Sequence, residues 1–167
     1  DEIPSNLKKF YSSYLVETNN ELNYIKFNKD ILHQSKIINY FNGDFAKSKI
    51  EKDLNNYLKK IKKDKKYSIS KKDIMLIESI KSDGIEVSKK YKDLYDIKDS
   101  EMPTDIQVMI NNNEIGSALL RIVEVIGQDE LEALDEDTLY FIVSALNQLD
   151  IDYIRNQILL KVLPLKA

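Results

Sequence analysis

Three groups of residues in this 167-residue chain are of types that can do chemistry. The first is His33, the sole histidine, next to Ile31 and Leu32. A histidine works as a general base only with a nucleophile and an orienting carboxylate against its ring. Asp30 and Ser35 are the nearest such groups in sequence. Close neighbours on one helix rarely assemble a triad, so the expected role is a structural histidine hydrogen-bonded at a helix interface. The second group is the acidic stretch Asp129, Glu130, Glu132, Asp135, Glu136 and Asp137. Ca²⁺ wants roughly 6–8 oxygens, but the EF-hand spacing and its glycine are missing. Acids before and inside a helix's first turn are what capping and the macrodipole favour, so capping is the expected role.

The third group is a lysine cluster: Lys59, Lys60, Lys62, Lys63, Lys65, Lys66, Lys71 and Lys72, with Asp64 the one acid inside it. Such a patch attracts phosphates, nucleic acid or anionic head groups. Tyr57 and Tyr67 flank it and have rings that stack on bases. Arginine, the better bidentate phosphate reader, is absent from it. A pI of about 5.3 argues against a dedicated nucleic-acid binder. The plain alternative is a solvated helix end and loop.

Other chemistries are excluded by composition or lack their signatures. With no cysteine there are no disulfides, thiolate metal sites or cysteine nucleophiles. One histidine rules out multi-histidine metal sites. No glycine-rich phosphate loop, G-x-S-x-G elbow or H-E-x-x-H occurs. A hydrolase using carboxylates alone would need two acids facing each other across a deep cleft, which sequence cannot locate. The expectation is a non-enzyme with no cofactor and no metal. No apolar run approaches the ~20 residues of a membrane-spanning helix.

The background composition is biased. Lysine outnumbers arginine 23 to 2, and Lys, Ile, Asn and Tyr fill 69 positions. Their codons are AT-rich, so lysine density alone is weak support for anion binding. The net charge of −3 hides an asymmetry: residues 1–100 carry +5 and residues 101–167 carry −8. Such a split marks either a partner surface or two differently solvated halves.

Apolar spacing is helical almost throughout, and no segment alternates cleanly as a strand. The pattern predicts a first helix through Leu7, Phe10, Tyr11, Tyr14 and Leu15. A second helical region spans about Glu21 to Asn42, with a break near Asn28; its later half uses Ile31, Leu32, Ile38 and Phe41 and ends at Gly43. Asp44 is the expected cap of a helix with Phe45, Ile50, Leu54, Tyr57, Leu58 and Ile61 on one stripe. Ser70 and Asp73 read as a capping box ahead of Ile74, Ile77 and Ile80, and Gly84-Ile85 as a Schellman stop. Residues 85–101 read as a charged connector with one helical turn near Tyr91–Tyr95.

In the second half, Pro103 opens a short helix to about Ile110, and Asn111–Asn113 form a loop. The next helix carries Ile115, Ala118, Leu119, Ile122, Val123 and Ile126 and stops near Gly127. Asp135 or Asp137 opens a helix with Leu139, Ile142, Val143, Leu146 and Leu149. Asp150 or Asp152 opens the last, with Ile154, Ile158, Leu159 and Val162, and Pro164 ends it. The chain begins at Asp1 without a methionine and shows no signal peptide, which reads as an engineered start, a processed product or a piece of something longer.

Four blocks carry a resemblance: LHQSKIINYF (32–41), SKKDIMLIESIKSDG (70–84), MPTDIQVMINNNEIG (102–116), and 118–166 from ALLRIVEVIGQDELEALDEDTL to the closing LLKVLPLK. They resemble the C-terminal part of large helical proteins of alphaproteobacteria, most specifically over 102–166. The resemblance implies a bacterial protein, a place at the end of a longer helical array, and export to the periplasm, with the cytoplasm the alternative. It implies no activity and no site residues, and residues 1–30 lie outside it.

These readings converge on an all-α chain of roughly seven or eight helices. The helices form antiparallel hairpins, packed as an irregular bundle or a short α-solenoid-like array. No fixed repeat period holds throughout. The expected division is a basic subdomain, 1–100, and an acidic, more apolar one, 101–167, with 102–166 forming the tighter core. Ile122, Ile142, Leu146 and Ile158 are expected to be buried. The expected function is a scaffold for another, unidentified protein. The alternative is binding of an acidic polymer or anionic membrane surface through the 59–72 lysines.

Overall fold

A computed structural model describes residues 25–43, 46–64, 67–96 and 102–166. The fold is all-α. Its only strands among the described residues are two-residue segments, β1 (Ile25–Lys26) and β2 (Leu165–Lys166), paired antiparallel. The helix expected through Leu7–Leu15 and the expected cap Asp44 lie outside the described residues.

Helix α1 (Lys47–Lys63) buries Ile50, Leu54, Leu58 and Ile61 on one stripe, and Lys60, Lys62 and Lys63 sit in its last turn. Cations there complement the carbonyl end of the helix. Helix α2 (Lys71–Ser82) has different surroundings. Seven of its twelve residues are buried: Asp73, Ile74, Met75, Leu76, Ile77, Ser79 and Ile80. A helix apolar on more than one side must be wrapped by others. The Ile74, Ile77, Ile80 stripe is therefore only part of its apolar surface. Both predicted ends are present. Ser70 Oγ accepts from the Asp73 N–H while Asp73 accepts from the Ser70 N–H. At the other end Gly84 takes a positive φ, with Ile85 N–H reaching the Ile80 carbonyl and Gly84 N–H that of Lys81.

A 3₁₀ turn (Lys89–Tyr91) runs into the single turn α3 (Lys92–Tyr95), and Tyr91 and Tyr95 are buried. The second half holds α4 (Thr104–Asn111), α5 (Ile115–Ile126), α6 (Glu136–Gln148) and α7 (Asp152–Val162). Helix α4 packs on α5, α6 on α7, and α2 on α6. The α2–α6 contact joins the two halves of the chain in one continuous core. Ile122, Ile142, Leu146 and Ile158 are all buried.

Two departures from expectation have local causes. Residues 25–42 do not form an α-helix. After β1 they form two 3₁₀ turns, Leu32–Gln34 and Lys36–Asn42, ended by Gly43 in the left-handed region. Side chains compete with the helical backbone here. Asn28 Oδ1 accepts from the Asp30 N–H, and Ser35 Oγ from the Ile37 N–H. Second, the expectation of a tighter core in 102–166 is corrected. Helix α5 fully buries only Ala118 and Ile122. The large exposed apolar side chains among the described residues, from Val108 to Ile154, all belong to this half. Part of its apolar surface faces outward.

Two further helix ends close as Schellman motifs without glycine. After α4, Asn113 has φ 59° and the Glu114 N–H reaches the Met109 carbonyl. After α6, Asp150 has φ 54° and the Ile151 N–H reaches Leu146. Asn and Asp tolerate this region better than branched residues. Replacing Asp150 with Val therefore costs about 1 kcal/mol or more, whereas Asp150→Gly does not lower stability, as urea denaturation will read. Ile142→Ala, in the centre of the core, costs roughly 2–5 kcal/mol by the same measurement.

Candidate functional site

His33 does not use Asp30 or Ser35. Its carboxylate partner is Asp73, forty residues away in the first turn of α2. Asp73 Oδ1 accepts from the His33 backbone N–H at 2.9 Å and lies 2.7 Å from ring Nδ1. Oδ2 accepts from the Tyr67 hydroxyl and the Ser70 N–H, each at 2.9 Å. The Tyr67 hydroxyl in turn accepts from the Leu32 N–H at 3.0 Å. Asp73 is 1% exposed. Burial pushes its carboxyl up, but the His33 ring and the Ser70 and His33 N–H groups outweigh that and hold it below the usual range. Burial pushes the Tyr67 hydroxyl up.

This cluster resembles a serine relay in composition only. Ser70 Oγ lies 3.4 Å from Nδ1, the nitrogen Asp73 already engages, while Nε2 faces the Gln34 amide at 3.3 Å. A relay needs the carboxylate and the hydroxyl on opposite ring nitrogens. The geometry instead locks the 32–34 turn onto the start of α2.

The other end of α2 carries a second buried charge cluster. Arg155, on α7, is fully buried. Its Nη2 lies 2.8 Å from Asp83 Oδ1 and its Nη1 2.9 Å from Asp152. It also donates to the side-chain oxygens of Asn147 and Asn156, and its guanidinium sits over the Phe41 ring at 5.8 Å. Burial and a hydrogen bond to Asp83 push the Tyr40 hydroxyl up. Sequence reasoning missed Arg155. A signal was available: only Arg121 and Arg155 are arginine in a chain with 23 lysines. Arg121 ties α5 to α4 through Asp105 at 2.7 Å. Both arginines are inter-helix clamps, the use to which their forked donors are suited.

The described members of the lysine cluster differ in their surroundings. Lys59, Lys60, Lys62 and Lys63 are exposed on the last turns of α1. Lys62 donates to the Lys90 carbonyl and lies over the Tyr91 ring. Lys65 and Lys66 lie outside the described residues. Lys71 and Lys72 are half-buried in the first turn of α2, and Lys71 is paired with Asp137. Beside the α1 lysines a pocket of about 310 Å³ is lined by Tyr57, Tyr67 and Ile61, with Lys29 and Lys60 opposed by Asp30 and Asp64. In the acidic stretch, Asp135 caps α6 through the Asp137 and Thr138 N–H groups, and Glu130 and Glu132 lie near Lys161.

One feature of α5 was not foreseen. Leu120 is 68% exposed and Val123 61%. Val123 and Ile115 belong to the apolar set that marks this helix in the sequence, yet both are exposed. Leu120, on the next strip of the helix surface, extends the apolar arc beyond what packing on α4 consumes.

No family model matches the chain, and neither do curated proteins or solved structures.

The Asp73 cluster sets two expectations. Asp73→Asn leaves buried donors short of an acceptor and costs roughly 2–3 kcal/mol in urea unfolding. The folded-state carboxyl is depressed, so its contribution is complete above the unfolded value and is lost as pH falls through the folded one. Wild-type stability should therefore drop below about pH 4 more steeply than that of the Asp73→Asn chain.

Proposed function

We propose that this chain is a non-enzymatic helical scaffold that binds another protein. The observation that carries this reading is the outward apolar surface of α5, where Ile115, Leu120 and Val123 are exposed. Large exposed apolar side chains grouped on one helix are a recognised mark of protein contact. Arg121 and its pairing with Asp105 stiffen the hairpin beneath them, which reduces the ordering cost of binding. In the resembling alphaproteobacterial proteins this hairpin would stand near the end of a longer helical array, in the periplasm.

A second reading rests on Lys59, Lys60 and Lys63, three exposed ammonium groups on the last turns of α1. It assigns them to an acidic polymer or anionic membrane surface. The two readings separate by salt: electrostatic capture weakens steeply as ionic strength rises, and apolar docking does not.

The test is crosslinking and co-purification from the native cell with three chains: wild type, Leu120→Asp/Val123→Asp, and Lys59→Glu/Lys60→Glu/Lys63→Glu. The scaffold reading predicts a protein partner retained by the lysine variant and lost with the α5 variant, at unchanged thermal stability. Loss with the lysine variant alone, with the bound material anionic and released by salt, overturns it in favour of the second reading.

A further inference from the structure

Of the four glycines, Gly43, Gly84 and Gly127 have positive φ, and Gly116 does not. A Cβ added at Gly116 would meet nothing within 4 Å among the described residues. Neither backbone conformation nor internal packing therefore asks for glycine there, and glycine weakens a helix relative to alanine. Gly116 precedes Leu120 by four residues and Val123 by seven, so the three share one strip of α5. Both of those side chains are exposed. A bare backbone beside two exposed apolar side chains lets a second helix approach α5 closely.

The charge around the strip narrows what that helix can be. Residues 102–160 contain no lysine, and their only cations are Arg121 and Arg155. Arg121 is engaged by Asp105 and Glu124, and Arg155 is buried. Glu124 follows Leu120 by one turn, Glu114 stands at the N-cap of α5, and Asp129 lies just past its end, all three exposed. A surface bordered this way repels nucleic acid and anionic membrane and attracts a cationic partner. We propose that the partner seated on α5 is a basic amphipathic helix of another protein. Its apolar side chains pack on Leu120 and Val123, its backbone crosses near Gly116, and its lysine or arginine flanks face Glu114 and Glu124. This assignment names the partner chemistry of the scaffold reading and rests on it.

The probe is a fluorescein-labelled synthetic helix of leucine and lysine, with leucine recurring every three or four residues. A second peptide carries glutamate in place of lysine. Each is titrated with the purified full chain, and fluorescence anisotropy reads binding. The lysine peptide binds the wild-type chain, and the glutamate peptide binds at least about tenfold more weakly. Leu120→Gln/Val123→Gln and Gly116→Gln each weaken the lysine peptide by at least about tenfold. Thermal stability is undiminished in Gly116→Gln, because glutamine is the better helix former. A lysine peptide that does not bind, or binds no better than the glutamate peptide, overturns the proposal. So does undiminished binding by either variant. The scaffold reading survives these results if co-purification still recovers a protein through α5. In the chain alone, self-association lost in Leu120→Gln/Val123→Gln assigns the strip to a second copy. A carbodiimide crosslink from Glu124 to Lys8 or Lys9 assigns it to the chain's own first residues. Either result also overturns the proposal.

Discussion

Helix α2 carries a carboxylate at each end, Asp73 buried and Asp83 partly buried, and the rest of the fold is arranged to satisfy the two. Isolated charges cannot stay in a protein interior; they must be paired and hydrogen-bonded. Asp73, in the first turn, is met by His33, Tyr67 and Ser70. Asp83, at the C-cap, is met by Arg155 from α7. Each requirement recruits a piece of chain remote in sequence, His33 in one case and Arg155 in the other. The apolar surface of α2 alone would accept many packings of similar energy. The two charged ends restrict them, because an arrangement that moves His33 away leaves the buried Asp73 short of a partner, and one that separates Arg155 from Asp83 leaves the buried guanidinium short of one.

This constraint also explains where the surface is left unfinished. The core gathers around α2, α6, α7 and the turns of 32–42, whereas α4 and α5 stand at its margin, with α5 packed chiefly on α4. The helix is more apolar than that position requires. A second contact for α5 is the simplest use of the excess, and it links the central clamp to the proposed scaffold role: a rigid core presents a hairpin whose outer surface is available to a partner.

Much of the local structure was legible in the sequence because its causes are local. The capping box at Ser70 and Asp73, the Schellman stop at Gly84, the Asp135 cap and the stripe on α1 follow from residues within one or two turns. The rest depends on contacts far apart in the chain. The partner of His33 is forty residues away, so Asp30 and Ser35 were natural but wrong candidates. Arg155 showed only as an arginine in a lysine-rich chain. The 3₁₀ turns at 32–42 look helical by apolar spacing, because that pattern does not register Ser35 and Asn28 bonding to the backbone. The exposure of Leu120 and Val123 follows from where α5 ends up, which periodicity cannot state. Of the lysine cluster, sequence located the α1 end, but not the engagement of Lys62 with Lys90 or of Lys71 with Asp137.

The central claim is that the two ends of α2 bind the remote segments into one cooperative unit, and native-state hydrogen exchange tests it most directly. The informative amides are Leu32 and His33, which donate to Tyr67 and Asp73, set against those in α2, α6 and α7. One cooperative unit predicts that all of them open with the same free energy, that of global unfolding. If Leu32 and His33 instead exchange through a much smaller opening while α2, α6 and α7 stay protected, the 32–34 turn is only loosely attached and the account is contradicted.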